Sequence, residues 1–74
     1  MDYVLGRLES LVAQGTTTDH IARRVESLWD CVRHTPNVMP GDEPFSVVLV
    51  WNRSGWHVEM EIESHGVEMW AVRP

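Results

Sequence analysis

Three glutamates spaced two apart, Glu59, Glu61 and Glu63, are the residues of this 74-residue chain whose type and spacing most readily do chemistry. They lie in Trp-His-Val-Glu-Met-Glu-Ile-Glu-Ser, residues 56–64, where apolar and polar side chains alternate. In an extended chain alternate side chains share a face and sit about 6.6–7 Å apart. Glu59, Glu61 and Glu63 would then form a ruler of like charge with His57, while Trp56, Val58, Met60 and Ile62 point to the opposite side. A carboxylate row at that pitch can imitate a nucleic-acid backbone and occupy a phosphate-binding groove. The ordinary fate of such a row is a solvated sheet face. Glu68, or Asp42 with Glu43, would extend it, and Val48 and Val50 on the preceding strand would lie beside it as an apolar centre.

The other chemistry-bearing residues are scattered. Cys31 and His34 are one helical turn apart, and His57 and Glu59 share a strand face, but neither pair has a second pair at a structural-zinc spacing. Cys31 beside Leu28 and Val32 reads as a half-buried thiol. Ser46, Ser54, Ser64, Cys31 and four histidines show no spacing that links a nucleophile to a base and an orienting group. No metal, cofactor or catalytic site is expected. The segment from Gly15 to Val25 has the texture of a helix-turn-helix start, with Arg23 and Arg24 exposed. Its ordinary reading is a core helix with solvated arginines and an Asp19–Arg23 pair one turn apart.

These side chains need a scaffold. Val4, Leu5, Leu8, Leu11 and Val12 make one apolar stripe, so residues 2–14 read as a helix capped by Asp2 and stopped by Gly15. A second stripe, Ile21, Ala22, Val25, Leu28, Trp29 and Val32, predicts a helix over 17–34. Its start is capped by Thr16 with Asp19, or by Thr18, and Pro36 ends it. Residues 35–44 hold three prolines and a glycine and read as a stiff connector without regular structure. Phe45–Trp51 reads as a strand with Phe45, Val47, Leu49 and Trp51 on the core side.

A four-residue turn over 52–55 would pair Trp51 with Trp56 and Leu49 with Val58. For the last strand, a two-residue turn at His65-Gly66 puts Val67, Met69 and Ala71 inward. A three-residue turn with Gly66 left-handed puts Trp70 and Val72 inward, and is favoured because it buries a tryptophan and separates Glu63 from Glu68. The fold class is α+β: an αα-hairpin on one face of a three-stranded antiparallel β-meander, in the order ααβββ, as a single domain over 1–74.

Composition narrows the function classes. Seventy-four residues bury only about 60–65% of their unfolded surface, which leaves little room for a deep pocket. One cysteine excludes an internal disulfide and fits a reducing, cytoplasmic compartment. No apolar run approaches a membrane span of about 20 residues, and the N-terminus lacks a signal-like region. A formal charge of −5, with six arginines and no lysine, argues against nucleic acid and anionic lipid and for a basic protein surface.

The run Pro36-Asn-Val-Met-Pro through Trp51, followed by Val58-Glu-Met-Glu-Ile-Glu-Ser-His-Gly66, resembles a loose group of short prokaryotic proteins. In that group a Pro-x-Val-x-Pro connector leads to a strand ending in Trp and then to an alternating Glu/aliphatic strand. Asp42-Glu43-Pro44 stands where a glycine-rich turn is more usual. The resemblance implies an α/β meander and a mobile-element or defence-locus setting, in a prokaryotic or phage-infected cytoplasm. Size and acidity are also similar to phage-encoded inhibitors such as anti-CRISPR proteins. The expected function is a non-enzymatic inhibitor of a basic partner such as a nuclease, effector complex or toxin. The binding residues would be Glu59, Glu61, Glu63, His57, Val48, Val50 and Glu68. The alternatives are a structural homodimer, through packed outer faces or paired edge strands, and a DNA-binding regulator through the helix pair.

Overall fold

The two helical stripes form as their spacing requires. In the computed structural model, which describes residues 2–29 and 35–72, α1 (Asp2–Ala13) buries Val4, Leu8 and Leu11, with Leu5 and Val12 half-buried at the stripe's edges. Gly15 closes α1 at φ 74. Its N–H donates to Val12 O and the Thr16 N–H to Leu11 O, the paired bonds of a Schellman stop. α2 (Asp19–Trp29) buries Ile21, Ala22 and Val25. Thr18 caps it, its hydroxyl accepting from the Ile21 N–H at 3.3 Å, so Thr18 rather than Thr16 begins the helix. The expected continuation to residue 34, with Cys31, Val32 and His34, lies outside the described residues. So do the side chains of Asp2 and Trp29.

The sheet corrects the expected fold. Among the described residues it has four antiparallel strands in the order β1-β2-β3-β4, not three. They are β1 (Asn37–Pro40), β2 (Val47–Arg53), β3 (Trp56–Ile62) and β4 (Val67–Val72). The extra strand comes from the proline-rich connector, with Val38 opposite Leu49 and Pro40 opposite Val47. Proline removes only its own N–H, and on an edge strand that loss can face away from the ladder. The Gly41 N–H donates to Ser46 O at 2.9 Å. Bonded pairs alternate from there, which leaves Pro40 in a non-bonded pair with its missing N–H on the open side. Prolines in a connector read as breakers, but Pro40 is placed where it breaks nothing.

Phe45 does not join β2. It sits in the preceding turn at φ 66, half exposed, while Ser46 is buried. The β2–β3 turn is two residues, Ser54 and Gly55, both at positive φ (51 and 82), as in a type I′ hairpin. Arg53 therefore pairs with Trp56, Trp51 with Val58 and Leu49 with Met60. The expected four-residue turn was off by two positions. A slip of two preserves every side-chain face, so the inward row Val58, Met60 and Ile62 survives the error.

β4 reverses the favoured reading. Residues 63–66 form the turn, closed by the Glu63 N–H on Gly66 O at 2.9 Å, and Gly66 is not among the positive-φ glycines. Val67 faces Ile62, Met69 faces Met60 and Trp70 faces Glu59. Val67, Met69 and Ala71 thus share the helix side, while Trp70 and Val72 lie on the outer face.

The core sits between the helices and β1–β3. Val4, Leu8, Leu11, Ile21, Val25, Val38, Val47, Leu49 and Ile62 are each at most 2% exposed. α1 packs on β1 and α2 on β2 and β3, but among the described residues neither helix packs closely on β4. Two polar ties hold the layers in register. Arg7 Nε–H donates to Val38 O at 3.1 Å, and the buried Thr17 hydroxyl donates to Phe45 O at 2.6 Å.

Candidate protein-binding surface

The acidic row does not stand in water as one ruler. Glu61 is only 6% exposed. Its Oε2 accepts from the Asp42 N–H at 3.1 Å and the Glu43 N–H at 3.5 Å. Ser46 Oγ lies 2.8 Å from the same oxygen and 2.9 Å from Glu43 O, and its single proton serves one of them at a time. The β1–β2 loop folds over the outer face, and its amides need an acceptor. Glu61 supplies it. Gly41 permits the approach, because a Cβ there would strike Ser46 Oγ and sit 2.5 Å from Glu61 Oε2.

The flanking glutamates also have neighbours of their own. Glu59 Oε2 accepts from His57 Nε2–H at 2.6 Å, and His57 Nδ1 lies 2.6 Å from Asn52 Oδ1. Glu63 is half-buried, with His65 Nε2 at 3.2 Å. Glu68 is exposed and stands directly opposite Glu61. Carboxylate oxygens of Glu61, Glu63 and Glu68 lie within 4.8 Å of one another. An all-oxygen set of that kind suits a hard cation, but the donors on Glu61 and the His65 ring on Glu63 already offset the crowding.

Val48 and Val50 were expected to be the desolvated centre of an interface. They are 8% and 6% exposed, already removed from water by their own chain. Arg24, expected exposed, is half-buried, and its Nε is buried with no hydrogen-bond partner among the described residues.

One linkage escaped the sequence reading. Ser64 Oγ lies 3.4 Å from His65 Nδ1, whose Nε2 meets Glu63, in the order hydroxyl, imidazole, carboxylate. The Ser–His distance exceeds the 2.6–3.2 Å reach of an activated nucleophile. The His65 side chain is 83% exposed, so nothing there excludes water. Neighbouring polar residues of one turn meet this way without a site. A groove of about 320 Å³ between α1 and α2 is rimmed by Glu9, Asp19, Arg23 and Glu26 and has no histidine, cysteine or serine in its lining.

Half of the exposed large hydrophobic residues among those described lie together on β4; the others, Tyr3, Met39, Phe45 and Trp56, lie on other elements. All six β4 residues are exposed, among them Val67, Met69, Trp70 and Val72 at 41–65%. The bonded Glu63/Gly66 pair sets the phase of the β3–β4 ladder. Glu68, Trp70 and Val72 spend their backbone groups on β3. Val67, Met69 and Ala71 direct theirs outward, at the edge of the sheet. The opposite edge, β1, is four residues long and ends in Pro40. Short strands and prolines are how sheets blunt an edge. β4 has six residues with no proline and no cation.

No family model, curated protein or solved structure matches this chain.

Proposed function

We propose that this protein is a small non-catalytic protein-binding module that docks by adding a strand of its partner to the β4 edge. The observation that supports it is the contrast between the two edges: β1 short and proline-ended, β4 longer, apolar and exposed throughout. Strand addition draws affinity from main-chain bonds and specificity from alternate side chains. Met69 and Val67 would supply contact on the helix side. Trp70 and Val72 would supply it on the outer face, where Glu68, Glu59 and His57 form a polar rim.

The acidic-inhibitor reading survives in narrower form. The chain carries −5 and no lysine, and Glu59, Glu63 and Glu68 remain for a basic partner once Glu61 is set aside. The two readings separate by salt. A partner held by the carboxylate rim weakens as ionic strength rises, whereas one held by β4 depends on Met69 and the edge.

The test is crosslinked capture of partners from host cells by the wild type and by Met69→Pro. That substitution removes an N–H that β3 does not use. Loss of the captured band with unchanged circular dichroism supports docking at β4. Capture insensitive to Met69→Pro, but abolished by salt and by Glu59/Glu63/Glu68→Gln, transfers the function to the acidic rim.

A further inference from the structure

We infer that the strand received by β4 belongs to a second copy of this chain, joined across a two-fold axis through Met69. This rests on β4 being the docking element and names its occupant.

The register follows from the ladder. A two-fold perpendicular to the sheet keeps both helix pairs on one side, so residues opposite each other must have the same parity. The free backbone groups belong to Val67, Met69 and Ala71. Centring the axis on Met69 opposes Met69 to itself and Val67 to Ala71 of the second copy, using the whole strand. An axis through Trp70 would bond Met69 to Ala71 of the second copy but leave Val67 without a partner among the described residues, so it uses less of the strand. With the Met69 axis, Glu68 lies opposite Trp70 of the second copy, so no carboxylate meets a carboxylate across the seam. Neither helix packs closely over β4, so none of the described residues overhangs the approach. The product is a continuous eight-stranded antiparallel sheet, its two outer edges the short, proline-ended β1 strands.

A second copy also answers a need of the fold. Domains near this size usually lean on disulfides, metals or self-association, and one cysteine allows no internal disulfide. Twelve hydrophobic residues make up the buried core among the described residues, and β4 adds none to it. Pairing brings Met69 and Val67 of both copies into one apolar row. The charge of −5 on each copy opposes association. Salt should therefore tighten the dimer, opposite in sign to capture of a basic partner.

Sedimentation equilibrium across a wide concentration range tests the stoichiometry. The expected result is a rise from the 8.5 kDa monomer toward twice that mass, tightened by salt and weakened at least tenfold by Met69→Pro with the fold retained. Disulfide trapping in a Cys31→Ser background tests the register. Met69→Cys should crosslink to itself under mild oxidation, and Glu68→Cys and Trp70→Cys should not. A concentration-independent monomer overturns the inference, as does a dimer indifferent to Met69→Pro or one trapped through Trp70→Cys. If the chain is monomeric yet captures a host partner in a Met69-dependent way, the second copy is wrong and docking at β4 stands. If capture is also blind to Met69, both fall.

Discussion

Replacing Glu61 separates a structural carboxylate from a docking one. Glu61→Ala deletes the acceptor of the Asp42 and Glu43 amides and the closer partner of the Ser46 hydroxyl. A hydrogen bond to a charged group contributes about 1.5–3 kcal/mol net. Three are lost, that to Glu43 being long at 3.5 Å, but Ser46 can still donate to Glu43 O at 2.9 Å, and Asp42 and Glu43 are exposed enough to recover water. Removing the buried charge returns part of its desolvation cost. The expected net loss is about 2–3 kcal/mol, from a total of about 4–11 kcal/mol for a chain of this length. With a urea slope of about 1 kcal/mol/M, the midpoint should fall by about 2–3 M. Glu61→Gln keeps one acceptor oxygen and should lose about 1 kcal/mol. Glu59→Gln, at a half-buried position with one histidine partner, should lose less than about 0.5 kcal/mol. Tryptophan fluorescence in urea reads all three. A Glu61→Ala midpoint within about 0.5 M of wild type, or a Glu59→Gln loss equal to it, would refute the loop-acceptor role.

Other substitutions test the parts around it. Gly41→Ala should lose about 2 kcal/mol, because its Cβ meets Ser46 and Glu61 in a packed corner; wild-type stability would show that the corner yields freely. Thr17→Val keeps the shape of a 4%-exposed side chain but leaves Phe45 O without its 2.6 Å donor. It should lose about 1–2 kcal/mol, read as a lower melting temperature. Ser54→Asn places the residue best tolerated at positive φ before Gly55 in the two-residue turn. It should raise stability by about 0.5 kcal/mol, and a drop would argue against a type I′ hairpin in solution.

Phe45 and Pro40 illustrate where reading the chain fails. Phe45 heads an alternating apolar run, so pattern alone enrols it in β2. Instead its backbone turns left-handed to bring its carbonyl to Thr17, a residue 28 positions away. Pro40 looks like a breaker because local rules do not say which side of a strand will be open. Glu61 is indistinguishable from Glu59 and Glu63 in an alternating strand. Only the loop laid over it makes one of the three structural.

Periodicity by itself determined the two helices, their buried stripes, the extended 56–62 segment and its inward row, because each depends on neighbours within one turn or one pleat. The tertiary structure decided the fourth strand, the side on which Trp70 lies, the burial of Glu61 and the open β4 edge. Those depend on partners distant in sequence. A strand's hydrogen bonds and a carboxylate's acceptors are satisfied by whatever the fold brings beside them, and the local pattern carries no record of what that will be.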